Sequence, residues 1–405
     1  MKVVARIQLV ISLAGSPVGS VVTIHGHDHR FGEDYEVEAF LPHDLPDEVA
    51  LPDAVWMAVA EAMTELGRLD AAARLVPNPQ LLARIATRRE AVGTSALEGT
   101  YANLTDVFAA EVLPLEEQIT DVPPNVREVM NYTRAADLAC QWVESRPITI
   151  GLLSTLQQEL VRGTDGDGLE AGRIRETQVF VGARNRRITG ARFVPPPPGD
   201  PLRAMLERWL TWLVDPKVAE RQQLLARAAM AHYQFETIHP FTDGNGRLGR
   251  LVLLLQLLVE GALRAPVLSL SAWLKDHATE YRDHLLRVSQ TGEWAPWVQF
   301  FAEAVRVQAR DGHDRIMRLL ELRDELGKAV RHALPRARLA VEIVDDLIAF
   351  PIISVSSATK RHGRTNQANR IAIGQLVERG VLEPFGTRSY DRLYWNPRVF
   401  HIVED

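Results

Sequence analysis

Residues 238–250 read IHPFTDGNGRLGR. The stretch separates two apolar, helix-like runs, LLARAAMAHYQFET at 224–237 and LVLLLQLLVEGAL at 251–263. Pro240 removes a backbone donor and biases His239 toward an extended conformation, so the first run should end here. The DGNG that follows lets the chain turn with positive φ at little steric cost. A second helix is then expected from near Gly246 to about Glu260, with Gly261 as its stop.

That arrangement puts glycines at a helix N-terminus, where free N–H groups and the positive end of the helix dipole form an anion site. Gly244 and Gly246 allow a phosphate to approach the backbone. Arg247 and Arg250 are three residues apart, share one helix face and offer planar forks for phosphate oxygens. Asp243 stands where a carboxylate would hold Mg²⁺ against those phosphates. His239 titrates in the range of a general base. The combination points to transfer of a phosphorus-centred group, chemistry that rests on positioning and electrostatics.

The rest of the chain is consistent with a mainly α protein. Its 405 residues, 46% hydrophobic, suffice for one large core or two to three smaller ones. Apolar residues recur at helical spacing in 54–75, 80–99, 125–144, 149–161, 201–215, 220–237 and 294–332. Residues 1 to about 40 read as short strands, notably 3–13 and 19–26, before a Pro-punctuated linker at 41–52. Two β-rich runs at 176–182 and 188–194, with ARNRR between them, predict a hairpin that leads into four prolines at 195–198. At the other end, three helices (338–350, 354–363, 365–380) and a hairpin (381–385 with 392–395) follow in the order of a winged helix.

HPFTDGNGRLGR (239–250) matches the Fic family signature H-x-F-x-[DE]-G-N-G-R-x-x-R at every specified position. The resemblance covers roughly residues 45–310, and the tail is similar to the winged-helix end of some bacterial Fic proteins. It implies a Fic-type helical core with a β-hairpin flap and a C-terminal winged-helix domain. The expected boundaries are 1–45 for an N-terminal extension, 46–140 for a helical region bearing an inhibitory helix, 141–330 for the catalytic core and 335–405 for the winged helix.

By the resemblance, His239 deprotonates a Ser, Thr or Tyr hydroxyl of a target protein, the chain itself included. Asp243 binds Mg²⁺, and Phe241 anchors the loop. Gly244, Asn245, Gly246, Arg247, Leu248, Gly249 and Arg250 form the ATP-binding segment. The implied reaction transfers AMP from ATP and releases pyrophosphate. Gln178, Val179 and Phe180 fall in the flap, which pairs with an extended segment of the target by strand addition. TSALEG (94–99) resembles the family's inhibitory pattern [ST]-x-x-x-E-[GN] through Thr94, Glu98 and Gly99. Glu98 ends a helix, where the dipole disfavours negative charge, so it needs a cation; in the family that cation is the residue matching Arg250. Pairing of two copies is a further implication.

Two rival readings share these residues. One is removal of AMP from a modified protein by the same site. The other is a DNA-binding regulator acting through the tail, where Lys360, Arg361, Arg364 and Arg370 face a single acid, Glu378, and Asn366, Gln367, Asn369 and Arg370 would lie near base edges. The net charge of −6 argues against a general coating of nucleic acid. Cys140, the only cysteine, reads as core filler and fits the reducing cytoplasm. No run is long enough to span a membrane, and Arg6 and Gln8 break the faint likeness of the first residues to a signal peptide. His25, His27 and His29 alternate on one strand face but lack a second ligand cluster. DGDGLE at 165–170 lacks the ligand series of a calcium loop.

Overall fold

The computed structural model describes residues 13–404 apart from 77, 115–116, 119–120, 184–185 and 389. Most of the strand expected at 3–13 lies outside these. The second expected strand runs Gly19–Asp28 and pairs antiparallel with Glu33–Pro42, in register from Gly19↔Pro42 to Asp28↔Glu33. His25 and His27 stand across from Glu36 and Asp34 on this ribbon. Among the described residues no three His, Cys, Asp or Glu side chains gather as a metal cluster.

The helical expectations become a bundle around one continuous core that reaches from Leu45 to Val403. Asp53–Ala73 packs along the 40-residue helix Trp294–Ala333. Gln80–Leu97 packs on Pro124–Val143 and on the short Ser271–Asp276. Leu224–Ile238 and Asn245–Val259 are apolar on almost every side, as a helix must be when other helices surround it, and nearly all their residues are buried. Trp297 and Trp209 satisfy their indole N–H groups on the carbonyls of Ala229 and Ala231, at 2.8 and 2.9 Å. Among the described residues no helix is long and apolar enough to cross a membrane.

The hairpin expected at 176–194 is not a ladder. Among the described residues it is reduced to one antiparallel bridge, Val181↔Phe193, and Ile188–Gly190 forms a 3₁₀ turn. The N-terminal ribbon packs against its other edge. Phe40 N–H donates to Val194 O at 2.9 Å, and Ala39, Ile188 and Val194 form a small separate core with Phe180 against it. The prolines that follow supply no donors to extend the pairing.

Beyond the long helix lie Arg338–Asp346, Val355–His362 and Asn366–Glu378, with a three-stranded antiparallel sheet ordered Ile352–Ile353, Leu393–Trp395, Glu383–Phe385. Pro397–Glu404 then folds back toward the long helix, where Arg315 Nε donates to Ile402 O at 3.2 Å.

Candidate active site

Leu224–Ile238 ends where His239 takes a left-handed conformation, φ 50 and ψ 62. The extended backbone expected before Pro240 is therefore not what forms. A left-handed residue is a common way to close a helix, and His239 N–H still reaches Phe235 O at 3.0 Å. The strain, on the order of 1–3 kcal/mol, is held by Arg175. This buried guanidinium donates from Nε to His239 O (2.8 Å), from Nη1 to Thr177 O (3.2 Å) and from Nη2 to Pro196 O (2.5 Å). Arg175 N–H also donates to Pro240 O at 3.0 Å. One side chain thus ties the motif loop to both edges of the flap.

His239 Nδ1 lies 3.2 Å from Glu236 O. A carbonyl only accepts, so Nδ1 carries the proton and Nε2 keeps its lone pair. Burial, with the nearby Arg175 charge adding to it, holds the imidazole down to about 4 against the partial offset of that hydrogen bond. It is a neutral base at pH 7.

The loop closes on itself through Asn245. Its buried amide donates from Nδ2 to Phe241 O (2.8 Å) and accepts at Oδ1 from Phe241 N–H (2.9 Å), while the Phe241 ring is fully buried. Gly244 then turns left-handed (φ 77), and Asn245–Val259 starts with no side-chain cap. Its first N–H groups are left facing out of the loop, as an anion site requires. Asp243 Oδ1 accepts from Gly244 N–H at 2.7 Å, and the side chain is 48% exposed. Leu248 is packed inside the core and Gly249 faces Glu236, Phe235 and His232. Neither presents a side on the open loop.

The two motif arginines are engaged. Arg247 pairs with Glu128 at 2.5 Å and lies 3.4 Å from Asp243 Oδ2. Arg250 is buried, donates from Nε to Thr94 Oγ1 (2.6 Å) and from Nη2 to Glu98 Oε1 (2.6 Å). Burial alone would raise the Glu98 carboxyl, but Arg250 outweighs it and the net shift is downward. Gly246 makes the meeting sterically available, since a Cβ there would collide with Glu98 Oε1 and crowd Arg250. Gly99 follows with φ 94, and Leu97 O accepts from Arg282 Nη2 at 2.8 Å. In the flap, Gln178 Nε2 donates to Val179 O and Pro195 O, and Phe180 packs inward.

Sequence reasoning did not single out Arg175, Glu128, Glu236 or Arg282. Glu236 carried a signal, one helical turn before His239 in an otherwise apolar run. Burial pushes its carboxyl up to about 7 although Arg250 pulls it down, and Oε1 is buried without a hydrogen-bond partner.

Residues 56–141 match the family model described as Fic/DOC family N-terminal, and residues 147–257 match that described as Fic/DOC family. The protein adenylyltransferase Fic of Culex quinquefasciatus is 39% identical over 140 residues, which is 34% of this chain and 24% of that protein. That of Drosophila willistoni is 35% identical over 178 residues, 43% of this chain and 32% of the relative. The chain thus spans about a quarter to a third of the length of these relatives. A Fic family protein from Desulfovibrio desulfuricans G20 has the same fold at a TM-score of 0.53, with 23% identity, over 87% of this chain and 98% of that one.

Proposed function

The chain belongs to the Fic/DOC family, and on that premise we propose that it is a protein adenylyltransferase restrained by its own Glu98. One observation carries the reading: an uncapped helix N-terminus, a neutral imidazole and two buried arginines converge on a single loop, and Glu98 occupies one of those arginines.

In the proposed reaction the triphosphate of ATP lies along the start of Asn245–Val259. His239 Nε2 takes the proton of a target Ser, Thr or Tyr hydroxyl. The oxygen forms a bond to the α-phosphorus as the bond to pyrophosphate breaks. Backbone N–H groups from Asn245 to Arg247 receive the inner phosphates, and Arg247 and Arg250 the outer ones. Asp243 suits Mg²⁺, because a half-exposed single carboxylate beside a phosphate site is how that ion is commonly held. When bound, it would neutralise phosphate charge. Glu98 restrains the reaction because a carboxylate on Arg250 competes with the outer phosphate for the same guanidinium.

The backbone around Gln178–Phe180 is the proposed docking strand for the target. We read the segment after the long helix as a winged helix, and the single cysteine as suiting the cytoplasm. The test is the intact mass of Glu98→Gly protein incubated with ATP and Mg²⁺. Addition of one AMP unit, absent from Glu98→Gly/His239→Ala, is the expected result. No adduct on the protein or on any added protein substrate overturns the reading.

A further inference from the structure

We propose that the face formed by the turn 360–365 and the helix Asn366–Glu378 binds double-stranded DNA. The helices Val355–His362 and Asn366–Glu378 are joined by Gly363, Arg364 and Thr365, with Gly363 left-handed at φ 61. The turn is locked from inside. Asn369 is fully buried and donates to Thr359 Oγ1 (3.2 Å), Arg364 O (3.3 Å) and Thr365 O (3.1 Å). It is therefore a staple, and the base-edge position expected of it does not form. Arg361 also turns inward, over the Phe350 ring and 3.9 Å from Asp346.

What remains outside is a coherent surface. Lys360, Arg364, Asn366, Gln367 and Arg370 are exposed, and among the described residues Lys360, Arg364 and Arg370 form no salt bridge of 4.0 Å or less. Residues 355–377 contain no Asp or Glu, although the chain as a whole carries −6. The charge is thus local and positive where the rest is negative, which is the electrostatic footprint of a phosphate backbone. Gln367, Arg370, Ile371 and Gly374 form one stripe by their spacing. Ile371 is 53% exposed at its middle, an apolar contact of the kind thymine methyl groups accept. Gly374 costs helix stability relative to alanine, yet a Cβ there would meet nothing within 4 Å. Among the described residues no contact requires a bare backbone at that point, and the open space admits close approach from outside. Tyr390, 81% exposed, stands on the loop between the two strands of the neighbouring hairpin, where a wing reaches the flanking backbone.

The experiment uses the full chain and a fluorescent random-sequence duplex, with anisotropy measured as salt rises from low ionic strength. Binding is expected, with a log–log salt slope of about −0.9 per cation engaged, about −2.7 for Lys360, Arg364 and Arg370 together. Arg364→Glu/Arg370→Glu should reduce affinity at least about tenfold at low salt, with the melting temperature and the AMP transfer of a Glu98→Gly background unchanged. No duplex binding at low salt overturns the proposal, as does equal binding by the charge-reversed chain. A charge reversal that alters only the solution mass, with no effect on DNA, assigns the face to contact between copies and overturns it as well.

Discussion

Glu98 Oε1 lies 2.6 Å from Arg250 Nη2, directly above Gly246. The pair is asymmetric. Arg250 is 2% exposed at its side chain and fixed by Thr94, whereas Glu98 is 40% exposed and held at the end of its helix, where the dipole opposes its charge. Of the two, Glu98 is the one free to leave.

Glu98→Gly should therefore raise AMP transfer by at least about tenfold, the equivalent of about 1.4 kcal/mol. Glu98→Gln, which keeps the shape but loses the charge, should fall between wild type and Glu98→Gly. Initial rates with labelled ATP check both; equal rates in all three proteins refute the restraint.

His239→Ala should lower transfer by about 10²–10⁴-fold, the usual contribution of a positioned base, and leave nucleotide affinity near that of the parent. Because His239 is held down to about 4, it is neutral from pH 8 down to pH 5. The Glu98→Gly rate should show no loss from imidazole protonation between pH 8 and 6. A rate falling with an apparent pKa near 6.5 would contradict the assigned environment.

Arg175→Met should destabilise the protein by about 2–4 kcal/mol, because it strands buried carbonyls that a charged donor now satisfies. In the Glu98→Gly background it should also lower kcat. Thermal melts and steady-state kinetics separate the two effects, and an unchanged kcat would mean that Arg175 braces the flap without positioning His239.

Burial raises the folded-state carboxyl of Glu236 from 4.5 to about 7. Its contribution to stability is complete below pH 4.5 and is lost as pH rises to about 7, since the fold favours the protonated form. Arg250, Glu98, His232 and Tyr281 are among the charged or titratable groups around it. Glu236→Gln should therefore gain in melting temperature over wild type from pH 5 to pH 8. The difference is bounded by a linkage on the order of 3 kcal/mol. A constant difference across that range would show that Glu236 stays ionised.

The central helices were legible because their apolar content, the Pro240 stop and the glycines act locally. The end of the Glu98 helix was legible for the same reason. What sequence did not disclose depends on distant partners. His239 turns left-handed because Arg175, 64 residues away, holds its carbonyl. The outer edge of the flap is taken by Phe40, remote in sequence, at the Val194 carbonyl. Asn369 has the composition of a base reader, and only the fold shows that it faces inward. Ala278–Thr291 carries a stripe at helical spacing, Ala278, Tyr281, Leu285 and Val288, that was legible in sequence but short and set among polar residues.

The rod Gln80–Leu97 is gripped at both extremities. Near its far end Arg84 Nε donates to Ala349 O at 3.1 Å, and at its middle Arg89 Nη1 reaches the carbonyls of Val403 and Glu404. A fusion partner, an affinity handle or a deletion placed at residues 397–404 would therefore tug on the same spar that carries Glu98, and a basal rate measured on such a protein would report the handle as much as the enzyme.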